Sequence, residues 1–313
     1  MPRIILDTDP GIDDALALFL ALASPEVQLE AITTTHGNVN LDLTTRNALA
    51  LLELAGRTEI PVARGSVNPL VREYVSAAHV HGGTGLGDVV LPEPTIQPIR
   101  QHASDYLIER IQAEPGELTL VAVGPLTNLA LALRRAPSIA AQVREVLIMG
   151  GALRVPGNVT PAAEFNIFGD PHAARVVLHA GWPIKLVSLD VTNITHVTRE
   201  QVRALAANGS PISRFINEMT RFYFEVFGPA TGNSVLRLHD PLCLAAAFRP
   251  DFITWEPAYV DVELTGTLTL GETVAYFNRA GMPAPNVQAS VGVDSAGFVA
   301  WAWERLGKLF PKE

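Results

Sequence analysis

Short strand-like runs at residues 4–6, 29–35, 118–123, 146–149 and 184–189 alternate with longer helical patterns, among them 13–23 and 41–55. Continuous apolar runs bounded by Gly, Pro or charge suit strands buried on both faces, which only a sheet covered by helices provides. The alternation therefore predicts βαβ units: an α/β fold with a mostly parallel central sheet flanked by helices. The last third changes period. Alternating residues at 259–264 and again at 265–270, around Gly266, predict a small antiparallel hairpin near the C-terminus; 287–293 alternates too, and 296–310 reads as a closing helix. No repeat, low-complexity tract or Ser/Gly linker divides the chain, so one domain over residues 1–313 is expected.

Composition narrows the partners. Asp plus Glu number 32 against 23 Lys plus Arg, a net charge of −9, which argues against coating nucleic acid because phosphate neutralisation needs a basic surface. A lone Cys243 excludes an internal disulfide framework and a four-cysteine zinc site. The longest apolar run, 15–23, spans nine residues and suits a buried helix rather than a membrane span. Arg3 passes at once into the first strand, with no apolar targeting segment behind it. A cytoplasmic enzyme acting on a small molecule, with no nucleic-acid or membrane partner, is the expectation. One glycine-rich stretch, 72–88, carries His79 and His81 with little apolar periodicity, and reads either as a lid over a site or as an ordinary surface excursion.

The chemistry concentrates in Asp7-Thr8-Asp9-Pro10-Gly11-Ile12-Asp13-Asp14, between the first strand and the first helix. That junction lies at the carboxyl edge of the sheet, where open α/β folds bind ligands. Two carboxylates 4 Å apart repel by about 4 kcal/mol at an effective dielectric near 20. Such a group is protonated, turned to water, or offset by a divalent cation; all-oxygen ligation suits Mg²⁺ or Ca²⁺, not zinc. Asp13 and Asp14 alone would read as acidic residues at a helix N-terminus. Their company with Asp7 and Asp9, directly after an apolar strand, favours a metal or catalytic role.

Residues 4–15 resemble the signature of the inosine-uridine-preferring nucleoside hydrolases. Further blocks similar to that family follow in its order: Gly37-Asn38, His79-Val80-His81-Gly82, Val123-Gly124-Pro125-Leu126-Thr127-Asn128, Met149-Gly150-Gly151, Gly157-Asn158, Ala163-Glu164-Phe165-Asn166, His239-Asp240-Pro241 and Val262-Glu263-Leu264-Thr265-Gly266. The resemblance implies hydrolysis of the N-glycosidic bond of ribonucleosides, giving free base and ribose, by an enzyme that assembles as a homodimer or homotetramer. It implies a Ca²⁺ held by Asp9, Asp14, Asp240 and the Val123 carbonyl with Asp7 beside them, and Asp9 as general base toward water. It places Asp13 and Asn166 on the ribose 2′- and 3′-hydroxyls, Asn158 and Glu164 on the 5′-hydroxyl, and Asn38 and Met149 in the same pocket. His239 is implied as the group that assists the departing base, with His81 second and His79 and His36 weaker candidates.

The chain departs from the family's pattern on the base side. The stretch 227–238 has no Tyr or Trp shortly before His239, which leaves Tyr223, Phe227 or Arg237 to face the base. Two other readings compete. A haloacid-dehalogenase-type phosphotransferase also places Asp-x-Asp after its first strand, but Pro10-Gly11-Ile12 follows here and the only lysines are Lys185, Lys308 and Lys312. A noncatalytic, calcium-dependent ribose-binding protein would keep the same residues.

Overall fold

The computed structural model describes all residues except 233, 278–280, 282 and 310–313. Six strands of the main sheet come from the first two-thirds of the chain: β1 (Arg3–Thr8), β2 (Gln28–Thr34), β3 (Val62–Arg64), β4 (Leu118–Ala122), β5 (Glu145–Met149) and β6 (Ile184–Val187). Two short strands, β7 (His196–Thr198) and β8 (Val235–Arg237), form a separate antiparallel pair. From the last third come β9 (Ile253–Val262), β10 (Thr273–Phe277) and β11 (Val287–Val293). Among the described residues the main sheet has nine strands, in the order β10-β9-β11-β6-β5-β4-β1-β2-β3. All neighbours from β11 to β3 run parallel, while β9 is antiparallel to both β10 and β11.

Strand order decides where a site can form. From β1 the chain moves outward to β2 and β3, then returns to the opposite side of β1 to lay down β4. The connections leaving the carboxyl ends of β1 and β4 therefore diverge over opposite faces, and the crevice at such a switch point is open to a ligand. Side chains of β1 alternate between two cores, as the pleat requires. Ile4 and Leu6 pack with the helices Ile12–Leu22, Leu41–Leu54 and Ser295–Lys308, whereas Ile5 packs with Leu107, Leu129 and Val177 on the other face. The helix Ile12–Leu22 is buried along nearly all its length, which explains why its sequence is apolar on every side. Phe19 meets Phe215 edge to face at 6.1 Å and ties it to the helix Pro211–Phe222. None of the described helices is long and apolar enough to cross a membrane.

The C-terminal hairpin is present, but its returning strand is β10, not residues 265–270. Tyr259 pairs with Tyr276 across it. The Glu263 carboxylate accepts hydrogen bonds from the backbone amides of Thr265 and Gly266, at 2.7 and 3.1 Å, and curls the chain away from the sheet. The alternation in 265–270 is thereby spent in a turn, and Leu268 is left 85% exposed. The closing helix spans Ser295–Lys308, capped where the Asp294 side chain accepts from the Gly297 amide; the expected end at 310 lies outside the described residues.

The stretch 72–88 is fastened at several points. Asn47 Nδ2 donates to the Thr84 and Pro10 carbonyls, at 2.9 and 3.0 Å. Arg72 lies 3.7 Å from the Phe168 ring centre and donates to that residue's carbonyl. Gly87, with φ of 63°, backs so closely onto the chain at Met219 that a Cβ would fall 1.8 Å from the Met219 carbonyl oxygen.

Candidate active site at the carboxyl edge of the sheet

At the end of β1 the chain turns through Asp9-Pro10-Gly11 into the helix Ile12–Leu22, and hydrogen bonds fix the turn. Asp14 accepts from the Asp9 and Gly11 amides, at 3.2 and 2.9 Å, so a first-turn carboxylate satisfies the amides that open the helix. Asp9 Oδ2 accepts from the Asn38 backbone amide at 2.7 Å. The carboxylate fits only because two backbones approach without side chains. A Cβ on Gly37 would sit 1.9 Å from Asp9 Oδ2, and one on Gly124 would sit 2.4 Å from Oδ1.

Three carboxylates converge beside it. Asp13, Asp14 and Asp240 each bring an oxygen to within 4.8 Å of the others, and all three are buried. Asp240 arrives on the helix His239–Ala245, which packs against Ile12–Leu22. Burial raises the pKa of all four acids, and the neighbouring carboxylates raise Asp9, Asp13 and Asp240 further. Asp9 Oδ1 is buried with no hydrogen-bond partner among the described residues. An unpaired oxygen beside three crowded carboxylates is a donor set that suits a hard divalent cation. Asp13, expected on the sugar side, is thus part of the converging group. Asp7 stands apart from it: Oδ2 accepts from Thr33 Oγ1 and from Asn128 Nδ2, the latter at 2.8 Å, and burial pushes the group up to about 7.

Above the acids lies a cavity of about 820 Å³. The site residues expected from the sequence line it except Asp7, Asp9 and Asp14, which are buried behind its wall, and the weaker candidate His36. Asn166 Nδ2 donates to the carbonyls of Val123 and Met149, at 2.9 and 3.1 Å, and so bridges the ends of β4 and β5. Glu164 caps the short helix Phe165–Gly169 by accepting from the amides of Asn166 and Ile167, and it also accepts from Gly151. Asn158 Oδ1 accepts from the Phe165 amide at 2.9 Å.

On the far wall, Tyr223 and Phe227 stack obliquely with ring centres 5.0 Å apart, beside Thr231 and Arg237. They come from a wide turn of π-helix, Tyr223–Phe227, a form frequent at functional sites. His81 Nδ1 accepts from the Ile12 amide at 3.0 Å, and His239 Nδ1 lies 2.7 Å from Thr192 Oγ1. Burial lowers both imidazoles to about 3, with Arg237 and His81 adding to the effect on His239 and His79 to that on His81. His79 also lines the cavity. His36 does not; it packs edge-on to Tyr74 and bonds Thr127 Oγ1 at 3.1 Å. The sequence reading missed Thr192, since nothing local marks a threonine that meets a histidine 47 positions away.

The chain matches the family described as inosine-uridine preferring nucleoside hydrolase over residues 4–300. It is 42% identical over 308 residues to the pyrimidine-specific ribonucleoside hydrolase RihA of Enterobacter sp. (strain 638), covering 98% of each chain. Among solved structures, the plant nucleoside hydrolase PpNRh1 superposes with a TM-score of 0.94 at 39% identity, covering 98% of this chain and 99% of that one. The purine-preferring ribonucleoside hydrolase from Gardnerella vaginalis gives 0.93 at 34% identity, covering 98% of each.

Proposed function

The chain belongs to the inosine-uridine preferring nucleoside hydrolase family and is an N-ribosyl hydrolase, and we propose that it cleaves ribonucleosides with the help of a Ca²⁺ held by Asp9, Asp14, Asp240 and the Val123 carbonyl. The observation that carries this reading is the unpaired, buried Asp9 Oδ1 beside the convergence of Asp13, Asp14 and Asp240. Calcium suits it better than magnesium because it accepts more oxygens at flexible angles, leaving room for sugar hydroxyls. When bound, the ion supplies Lewis acidity that lowers the pKa of a nearby water.

The chain's own residues do the rest. Asp9 Oδ1 takes the proton of the attacking water, while Oδ2 stays fixed by the Asn38 amide. Asp13 and Asn166 hold the 2′- and 3′-hydroxyls, Asn158 and Glu164 the 5′-hydroxyl, and Asn38 and Met149 close the sugar side. Bond cleavage builds positive charge on the ribosyl ring, which the surrounding carboxylates stabilise. A buried polar shell of this kind rejects a deoxyribose, because the missing hydroxyl leaves its partner unsatisfied. His239, with His81 behind it, donates to the departing base. Tyr223 and Phe227 supply the aromatic surface for that base in place of a Tyr or Trp in 227–238.

Ribose release from inosine, adenosine, guanosine, uridine and cytidine, assayed with calcium and after its removal, tests the proposal. Calcium-dependent release supports it, and full turnover in metal-free protein refutes the cation's role. Ribose binding without release would favour the noncatalytic alternative. The same reading carries a cytoplasmic location and a homodimer or homotetramer, the latter measurable by light scattering.

A further inference from the structure

Both cavity histidines are tethered through the same ring nitrogen. At His81 the donor is a peptide amide, that of Ile12, so Nδ1 is the acceptor and the neutral ring carries its proton on Nε2. At His239 the partner is the Thr192 hydroxyl, which donates or accepts. Burial decides between the two. Thr192 is fully buried, and among the described residues its hydroxyl meets only His239 Nδ1. A buried helical threonine can give its hydroxyl hydrogen to the carbonyl one turn back, as Thr220 does to Ile216, or turn it to a side chain, as Thr127 does to Asp170. Thr192 forgoes the carbonyl and points at the imidazole. Were Nδ1 the donor, the Thr192 hydrogen would be buried without an acceptor, a cost of about 1–3 kcal/mol.

We infer that Thr192 is a positioning residue that holds His239 in the tautomer with its proton on Nε2, so that His239 and His81 together present two N–H donors to the departing base. This rests on the proposed ribonucleoside hydrolysis for its consequence, though not for its geometry. Neither Nε2 has a hydrogen-bond partner among the described residues, and both rings line the cavity. Two fixed donors stabilise the negative charge that gathers on the base as the glycosidic bond breaks. Thr192 ends the short helix Leu189–Thr192 that follows β6, and His239 opens the helix His239–Ala245 that follows β8, so the contact ties the end of one helix to the start of the other.

Thr192→Val keeps the shape of the side chain and removes the hydroxyl; Thr192→Ser keeps the hydroxyl. Nitrogen-15 NMR of the imidazoles, with His239 assigned from the signals lost in His239→Gln, reads the tautomer directly. The wild type is expected as the Nε2–H form and Thr192→Val as a mixture, with Thr192→Ser returning to the wild-type pattern. In turnover, Thr192→Val is expected to lower kcat on uridine and inosine roughly 10- to 100-fold with KM little changed, and Thr192→Ser to restore most of it. p-Nitrophenyl riboside, whose leaving group needs no such help, should change by no more than about twofold. An Nδ1–H tautomer in the wild type overturns the inference, as does an equal loss on both substrates at an unchanged melting temperature. If the wild type cleaves no ribonucleoside yet shows the Thr192-dependent tautomer, the proposed function fails and the positioning role stands.

Discussion

Asn38 grips Asp9 at both ends: its backbone amide donates to Oδ2 at 2.7 Å, and its side-chain amide donates to the Asp9 carbonyl at 3.1 Å. The side chain also reaches Asp14 Oδ2 at 2.9 Å, so one residue sets the spacing of two acids. Asn38→Leu should keep the backbone bond, release the side-chain ones, and weaken calcium affinity and kcat together by roughly 10- to 100-fold. Titration calorimetry beside steady-state kinetics checks this; loss of kcat with unchanged affinity would contradict it.

Asp9→Asn removes the proton acceptor with little change of volume. Ribose release should fall by roughly a thousandfold. Asp240→Asn should fall comparably and also lose bound calcium, measured by elemental analysis of the purified protein.

Gly124→Ala tests the close approach of backbone to carboxylate. A methyl group placed 2.4 Å from Asp9 Oδ1 must displace one or the other. We expect a cost of about 1–3 kcal/mol in stability and a larger proportional loss of activity, read by thermal melting and kcat.

His36 predicts a pH dependence of stability. Burial holds its folded pKa at about 4, below the ordinary 6.5. Between those values the unfolded chain binds a proton that the folded protein refuses, so stability rises with pH across the window. The contribution is complete above about pH 6.5 and is lost as pH falls to about 4, amounting to about 3 kcal/mol. Urea unfolding of wild type and His36→Gln at pH 7, 5.5 and 4.5 should show the gap between them closing in that direction.

Arg72 pins the stretch that carries His79 and His81 to Phe168. Arg72→Ala should speed hydrogen exchange at 74–81 and raise KM more than it lowers kcat. Arg72→Lys should recover only part, because an ammonium lacks the planar face that lies on the ring.

Much of this arrangement is legible in the sequence where information is local. The apolar β1, the turn at Pro10-Gly11 and the acids opening the next helix all fall within fourteen residues. Pairings across the chain are not legible in that way. The 265–270 alternation has the period of a strand, but Glu263 claims the backbone amides that would have entered the ladder. Asp13 joins Asp240, from the far end of the chain, because two helices pack; neither residue's neighbours announce it. Family resemblance supplied the roles on the sugar side, while Tyr223 and Phe227 meet through a π-helical turn that no simple periodicity encodes.

β11 lies between β6 and β9, although it is the last strand in the chain. During synthesis β1 to β6 can assemble as soon as they emerge, but the β9–β10 ribbon has nowhere to attach until residues 287–293 have left the ribosome. The polypeptide is therefore sewn shut from the inside by its final strand, and a nascent chain halted before it would leave β6 and β9 as unmatched edges, whereas the finished sheet keeps only β3 and β10 at its margins.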